Sequence, residues 1–329
     1  MLRMKILKFW LRAGLVATAI AGCSACTDGQ QPDVHNTTST EQARAIYHWK
    51  TAFDLDSAEV AFLRHHDVGR IYLRMFDVAT ERDFLNGGVE VVPVATTSFK
   101  DSVPKGIEVV PTTYITLDAL RAMKGREEAF GGVIADRLCA MATVNHCGKI
   151  NEVQLDCDWT RTTRSSYFKL CQAVSDTLKG RGISLSVTIR LHQLGEAAPP
   201  AQRGVLMVYN TGELKHPETQ NSILHTADIA PYLKRRKYPL PLDYAYPTFG
   251  WGVRFRYGAF AGITSEEATP TTKGEHIRRE RPSSEIILEA KQMVEEALGA
   301  PSRGNILYHL DQEQLQHYSD HEIAEIYRH

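Results

Sequence analysis

The sequence lacks the short motifs that mark several common classes of protein. Apart from Cys23, its five cysteines include no CxxC pair and no His/Cys cluster with zinc spacing, so no structural metal is expected. No glycine-rich phosphate fingerprint follows the first predicted strand, and no nucleophile serine stands in a G-x-S-x-G elbow. The chain therefore predicts neither a dinucleotide-binding fold nor an α/β-hydrolase, and we expect no cofactor.

An excess of charge of one sign is also absent. The formal net charge is −1, whereas a protein that binds nucleic acid needs clustered lysine and arginine to neutralise phosphates. The two basic runs, KRRK at Lys234–Lys237 and RRERP at Arg278–Pro282, are interpreted as solvated surfaces. No nucleic acid partner is expected.

The apolar run near the N-terminus is too short to span a bilayer comfortably. It covers Ala13–Gly22, has the length of a signal-peptide core, and follows four basic residues. It ends in IAGC, which resembles a bacterial lipobox whose Cys23 would carry a diacylglycerol. The alternative is a buried N-terminal helix with a chance cysteine.

The lipobox interpretation divides the chain into three parts. We expect a signal peptide over 1–22, a polar flexible tether over 23–43, and one folded domain over 44–329. The lipid on Cys23 would anchor the protein to a membrane of the cell envelope. Ser24, in place of an aspartate, favours the outer membrane if the cell has two.

The rest of the sequence alternates short apolar strands with helical patterns. The first strand is AIYHW, a long helical region follows from about Leu117 to Ala142, and NILYHLD at Asn305–Asp311 is the last strand. Seven to nine β–α units in about 285 residues predict an α/β fold, a (β/α)8 TIM-like barrel. A doubly wound open sheet or two domains are the alternatives.

Chemically distinctive residues stand at the C-terminal ends of the predicted strands, where barrel enzymes have their active sites. Two aspartates alternate in EVQLDCDWT, so Asp156 and Asp158 should point the same way and form a candidate catalytic pair. The candidate substrate-binding residues at other strand ends are Trp49, Asp77, Trp159, Arg190, His192, Gln193, Tyr209, Asn210, Tyr246 and Trp251.

VQLDCDWT and LMVYN together resemble the fourth- and sixth-strand motifs of chitinase-like glycoside hydrolases of family 18, D-G-x-D-x-D-x-E and M-x-Y-D. Asp156 and Asp158 match the second and third aspartates, and Met207 and Tyr209 match the methionine and tyrosine. Thr160 replaces the acid/base glutamate, and Asn210 replaces the final aspartate. The resemblance implies a sugar-handling barrel whose direct acid/base mechanism is missing.

The chain also resembles a group of exported bacterial barrel proteins, with phrases such as YHWKT, DCDWT and TIRLHQ, and is similar to the domain-of-unknown-function family 3142. Neither group implies an activity. This resemblance therefore bears on the fold.

Three functions remain open for the carboxylate pair. Asp158 could donate a proton with Asp77 or Asp311 as partner, because adjacent carboxylates raise each other's pKa. The site could instead bind a glycan without cleaving it, with aromatic residues stacking on sugar rings. A divalent cation held by Asp156, Asp158 and Asp311 is the third, least supported option.

Arg190 opposes the acid role if it points inward, since a neighbouring guanidinium lowers the pKa of a carboxyl group. Disulfides Cys139–Cys147 and Cys157–Cys171 also remain open. We expect a membrane-anchored, glycoside-hydrolase-like barrel that acts on a glycan or small-molecule substrate, with a non-catalytic glycan-binding lipoprotein as the alternative.

Overall fold

The computed structural model describes residues 44–82, 87–234 and 237–328. The predicted signal peptide, the tether and Cys23 lie outside these residues. Within them, no helix is long and apolar enough to cross a membrane.

Fourteen strands and eight α-helices alternate along the described chain. The strands are β1 Arg44–His48, β2 Ala52–Phe53, β3 Val68–Arg82, β4 Val89–Val94, β5 Ser98–Phe99, β6 Glu108–Ile115, β7 Glu152–Asp156, β8 Ser184–Arg190, β9 Arg203–Met207, β10 Leu242–Pro247, β11 Trp251–Arg256, β12 Ala259–Thr264, β13 Glu275–Glu280 and β14 Asn305–Tyr308. The helices are α1 Ser57–His65, α2 Leu117–Ala122, α3 Glu127–Val144, α4 Arg164–Lys179, α5 Thr226–Ile229, α6 Ser284–Leu298, α7 Gln312–Leu315 and α8 Asp320–Tyr327, with 3-10 turns at Leu191–Gly195 and Ala230–Tyr232.

Eight parallel strands close into a barrel. Their order around it is β1, β3, β6, β7, β8, β9, β10 and β14, and β14 pairs with β1 to complete the ring. Helices cover the outside of the barrel. For example, α3 and α4 pack against each other, and α4 packs on β8. The predicted (β/α)8 barrel is therefore confirmed.

Local sequence signals fix the ends of several helices. Asp56 caps α1 with a reciprocal capping box to Glu59, and Ser283 accepts a hydrogen bond from the N–H of Ile286 at the start of α6. The long helical region predicted from Leu117 divides into α2 and α3. Gly125 lies between them with φ +80°, a conformation that glycine adopts without a steric penalty.

Two features extend the barrel. Strand β4 pairs antiparallel with the extended end of β3, so it is an edge strand. Strands β11, β12 and β13 form a separate antiparallel sheet between β10 and α6.

The lower half of the barrel interior is ionic and aromatic. Near the N-terminal ends of the strands, Arg303 lies 2.9 Å from Glu152 and 3.3 Å from Asp243. Above them the rings of Tyr47 and Tyr72 stack with their centroids 4.9 Å apart. These residues fill the interior, so chemistry with solvent is confined to the opposite end, where the strands end.

Candidate functional site at the barrel mouth

The mouth is the end of the barrel formed by the C-terminal ends of the strands. Asp156 ends β7, Asp158 follows it, and Arg190 ends the neighbouring strand β8. Arg190 donates to both carboxylates, through Nε to Oδ1 of Asp158 and through Nη2 to Oδ1 of Asp156 at 3.1 Å. The two predicted catalytic aspartates therefore share one guanidinium.

The two carboxylates differ in their environment. Asp156 is 3% exposed and accepts a second hydrogen bond, of 2.6 Å, from Oγ1 of Thr188. The side chain of Asp158 is 45% exposed and has the hydroxyl of Tyr114 at 3.4 Å. Asp158 is thus the carboxylate that solvent or a ligand reaches, and Asp156 anchors Arg190 from below.

The protonation equilibria reflect this burial. Burial raises the pKa of Asp156, Arg190 opposes that shift, and Asp158 adds to it. Burial acts to lower the pKa of Arg190, but the negative charges of Asp156 and Asp158 raise it well above its ordinary value. Arg190 is therefore a fixed cation at the centre of the site.

A polar cleft of about 250 Å³ opens above the aspartate pair. The residues that line it are Asp158, Arg190, Leu191, His192, Tyr209, Asn210, Thr211 and Tyr232. His192 and Asn210 are exposed in this cleft, where both were predicted. Asn210 has φ +56°, in the left-handed region that asparagine tolerates better than most residues, so its backbone role is a further reason for this residue type.

A row of aromatic rings runs across the mouth beside the cleft. Tyr209 lies 4.8 Å from Tyr308, and Tyr308 lies 5.9 Å from Trp49, between ring centroids. On the other side Phe249 contacts Tyr209 at 5.9 Å and Trp251 at 5.2 Å. We call these five residues the aromatic row. Trp49, Tyr308 and Trp251 are only partly buried, so the row presents ring surface at the mouth.

Asp77 lies in a second ion pair near the mouth. Its carboxylate accepts two hydrogen bonds from Arg74, one from Nε at 2.9 Å. Arg74 also donates to the backbone oxygen of Trp49 at 3.2 Å and has its guanidinium 5.7 Å from the centre of the Trp49 ring. Asp77 thus positions Arg74 and Trp49, and both of its carboxylate oxygens are engaged by Arg74.

The predicted substrate contacts of Trp159 and Tyr246 are wrong, because both rings are buried between the strands and the outer helices. Trp159 is 1% exposed and packs on Tyr167 and Phe168 of α4, at centroid distances of 6.2 and 5.5 Å. Tyr246 is fully buried, and Tyr244, on the same face of β10, donates to the backbone oxygen of Gly299 at 2.8 Å, beside the end of α6. Neither ring reaches a substrate in the mouth.

Gln193 is corrected for a different reason, because both ends of its amide are occupied. Its Oε1 accepts from the N–H of Arg190 at 2.9 Å, and its Nε2 donates to the backbone oxygen of Trp159 at 2.9 Å. Gln193 is also fully buried. It joins the ends of β7 and β8, and so holds Asp158 and Arg190 in register.

Thr160 stands where the resemblance to family 18 would have a catalytic glutamate. Its N–H donates to Oγ1 of Thr163 at 2.9 Å, its hydroxyl lies 2.9 Å from that of Thr162, and its carbonyl accepts from the N–H of Arg164. Thr160 therefore forms the turn into α4. A threonine hydroxyl is not acidic enough to protonate a leaving group.

Several residues of the mouth were not predicted. Tyr308, Tyr114, Arg74 and Phe249 complete the aromatic row and the two ion pairs. Tyr308 could have been found, because it alternates with Ile306 on the face of β14 that points into the barrel. Arg74 could not, because a bulge between Arg74 and Phe76 changes the register of β3.

Among the residues the structure describes, the mouth carries no cluster of metal ligands. The one group of His, Cys, Asp or Glu side chains close enough to hold an ion in this part of the chain is His65, His66 and Asp320, which lies elsewhere. Asp311, the third oxygen donor considered for a cation, instead caps α7. Cys139, Cys147, Cys157 and Cys171 are free thiols, so neither disulfide is present.

No family model and no curated protein matches the sequence. Among solved structures the chain is similar to the spore cortex-lytic enzyme SleL of Bacillus cereus, with 14% identity, a TM-score of 0.52, and coverage of 93% of this chain and 79% of that one. For SleL of Bacillus megaterium the identity is 11%, the TM-score 0.53, and the coverage again 93% and 79%.

A chitinase from Chromobacterium violaceum has 12% identity and a TM-score of 0.49 over 87% of this chain and 98% of that one. Similarity at this level shows the fold alone. The distant resemblance to family 18 and the similarity to family 3142 stay predictions. What the comparisons add is that the chain folds as the same kind of barrel as the two SleL enzymes.

Proposed function

We propose that the mouth binds a glycan and that the protein does not cleave it. The observation that carries this proposal is the pairing of Arg190 with both Asp156 and Asp158, beside an open cleft. A glycosidase needs a carboxyl group that is free to donate a proton to the leaving oxygen. Here Oδ1 of the exposed Asp158 instead accepts a hydrogen bond from Nε of Arg190.

The composition of the mouth supports a sugar as the ligand. Pyranose rings have apolar faces that pack on aromatic rings and hydroxyls at their edges that need hydrogen-bond partners. The aromatic row supplies the first, and Asp158, His192 and Asn210 supply the second. In the family 18 motif, the aspartate that Asp158 matches orients an acetamido group, so we propose N-acetylated glycans as the ligand class.

Glycan cleavage is the second candidate, and one observation favours it. Asp158 is half-exposed beside Asp156, and burial raises the pKa of Asp156. If a ligand displaced Arg190 from Asp158, the pair would resemble two carboxylates that share a proton.

One experiment separates the two candidates. The soluble domain is titrated by calorimetry with chito-oligosaccharides and with peptidoglycan fragments, and the same mixtures are assayed for new reducing ends. Binding without new reducing ends, weakened about tenfold by Asp158→Ala, is the expected result. New reducing ends that Asp158→Asn abolishes would establish cleavage instead, and no binding to either series would overturn both candidates.

We propose further that the protein is held in the cell envelope by a lipid on Cys23. The support is the sequence alone, a basic segment, a short apolar core and IAGC. Wild-type protein is expected to partition into detergent and Cys23→Ala into the aqueous phase. Aqueous partitioning of the wild type would contradict the anchor.

A further inference from the structure

Two histidines and an aspartate meet at the end of the barrel opposite to the mouth. His65 ends α1, His66 follows it, and Asp320 begins α8. The backbone oxygen of His66 accepts from Arg44 at the start of β1, which places the group beside the N-terminal ends of the strands. We call these three residues the His–His–Asp cluster.

The donor atoms of the cluster lie close together. Nε2 of His65 lies 3.3 Å from Oδ2 of Asp320, Nε2 of His66 lies 3.3 Å from Oδ1, and all three residues offer donors within 4.8 Å of one another. A tetrahedral ion with bonds of about 2.0–2.1 Å places its ligand atoms about 3.3–3.4 Å apart. The exposed side chains of His65 and Asp320 would rotate inward to bring the three donors to this spacing.

The burial of the three side chains differs. The ring of His66 is 3% exposed, so the surrounding protein holds this imidazole in place, whereas the side chains of His65 and Asp320 are 61% and 73% exposed. Histidine is the commonest protein ligand of metal ions. A divalent cation would bind all three groups at once, whereas each contact in the structure joins Asp320 to one imidazole.

We propose that the His–His–Asp cluster binds one divalent transition-metal ion of the zinc class. Two imidazoles and a carboxylate suit zinc, nickel or copper, while calcium and magnesium prefer all-oxygen sites. The ion would connect the end of α1 to the start of α8, and so fix the last helix to the barrel. The expectation of no metal rested on local spacing, and Asp320 is too distant along the chain for spacing to show it.

The test uses the full chain freed of metal with a chelator and titrated with zinc chloride. Two exposed ligands are varied, His65→Ala and Asp320→Asn, because their side chains are 61% and 73% exposed and their loss leaves the core intact. The matched control is His276→Ala, an exposed histidine on β13 outside the cluster. Calorimetry gives the stoichiometry and affinity, and thermal unfolding gives the stabilisation by zinc.

One zinc ion per chain is expected, with a melting temperature that rises with zinc concentration. Each cluster variant should bind at least tenfold more weakly and lose most of the zinc-dependent rise, while His276→Ala behaves as wild type. Since Asp320 also lies in the first turn of α8, its variant is compared with the wild type without metal as well. Absence of stoichiometric binding, or equal affinity in the wild type and both cluster variants, would overturn the proposal.

Discussion

Nη2 of Arg190 donates a hydrogen bond of 3.1 Å to Oδ1 of Asp156, between two neighbouring barrel strands. Asp156 is 3% exposed, so its carboxylate depends on Arg190 and Thr188 in place of water. This pair anchors the guanidinium that also holds Asp158 at the edge of the cleft. The chemistry of the mouth thus depends on a buried ionic contact.

Replacement of Arg190 should destabilise the protein more than replacement of the exposed Asp158. Arg190→Met leaves Asp156 buried without its cation, and we expect a loss of about 3 kcal/mol in the free energy of unfolding. Asp158→Asn should cost much less, because its side chain is 45% exposed. Urea unfolding measures both. Recovery of stability in the double variant Arg190→Met/Asp156→Asn would confirm the coupling, and strictly additive losses would contradict it.

The aromatic row should contribute to glycan affinity if the proposed function is correct. Trp49→Ala and Trp251→Ala each remove a partly buried ring from the mouth, and we expect each to weaken binding about tenfold, or ~1.4 kcal/mol. Tyr257→Ala is the control, because Tyr257 is 78% exposed at the turn after β11, outside the row. Equal affinities for all three variants and the wild type would show that the row does not contact the ligand.

His48 should make the fold sensitive to mild acid. It is fully buried at the end of β1, neither ring nitrogen has a hydrogen-bond partner, and burial lowers its pKa to about 4. Because the unfolded chain binds this proton near pH 6.5, stability from the neutral ring is complete above about pH 6.5 and is lost as the pH falls towards 4.

The protonation of His48 should lower the free energy of unfolding by about 3 kcal/mol when the pH has fallen to about 4. Urea unfolding at pH 7.5 and pH 5 should therefore show a smaller pH-dependent loss for His48→Phe than for the wild type. His276→Ala, at an exposed position, should retain the full loss. An identical loss in His48→Phe would exclude His48 as its source.

Two adjacent glycines of α3 should respond in opposite ways to alanine. A Cβ atom on Gly131 would lie 2.5 Å from Cβ of Ala173 in α4, whereas on Gly132 its nearest neighbour would be 3.9 Å away. Gly131→Ala should therefore destabilise the protein by about 1–3 kcal/mol through overpacking. Gly132→Ala should stabilise it by up to about 1 kcal/mol through helix propensity. Equal effects in thermal or urea unfolding would contradict the close packing of α3 on α4.

The barrel was predictable because its strands carry local apolar patterns and several helices, such as α1 and α6, begin at a capping residue. Alternation also placed Asp156 and Asp158 on the inner face correctly. The same alternation places Trp159 with Cys157 on the outer face. The predicted contact of Trp159 with a substrate therefore contradicted the alternation of the sequence. The predicted substrate contact of Tyr246 was wrong for the same reason, since Tyr246 shares the outer face of β10 with Tyr244.

Other features required tertiary structure. The pairing of Arg74 with Asp77 depends on a bulge in β3. The His–His–Asp cluster brings together residues from the beginning and the end of the domain's sequence. The sheet of β11–β13 did have a local signal. Tyr257 and Gly258 both have positive φ, at 49° and 80°, as in a tight hairpin turn, and tyrosine–glycine is a weaker turn signature than asparagine–glycine.

The barrel begins at Arg44, the first residue of β1, and therefore at the end away from the mouth. If a lipid on Cys23 holds the preceding segment at a membrane, that segment meets the domain at its base. The attachment would then leave the cleft uncovered, because the tether would join the domain at the end opposite to the mouth. Attachment and ligand capture would occupy opposite poles of the same molecule.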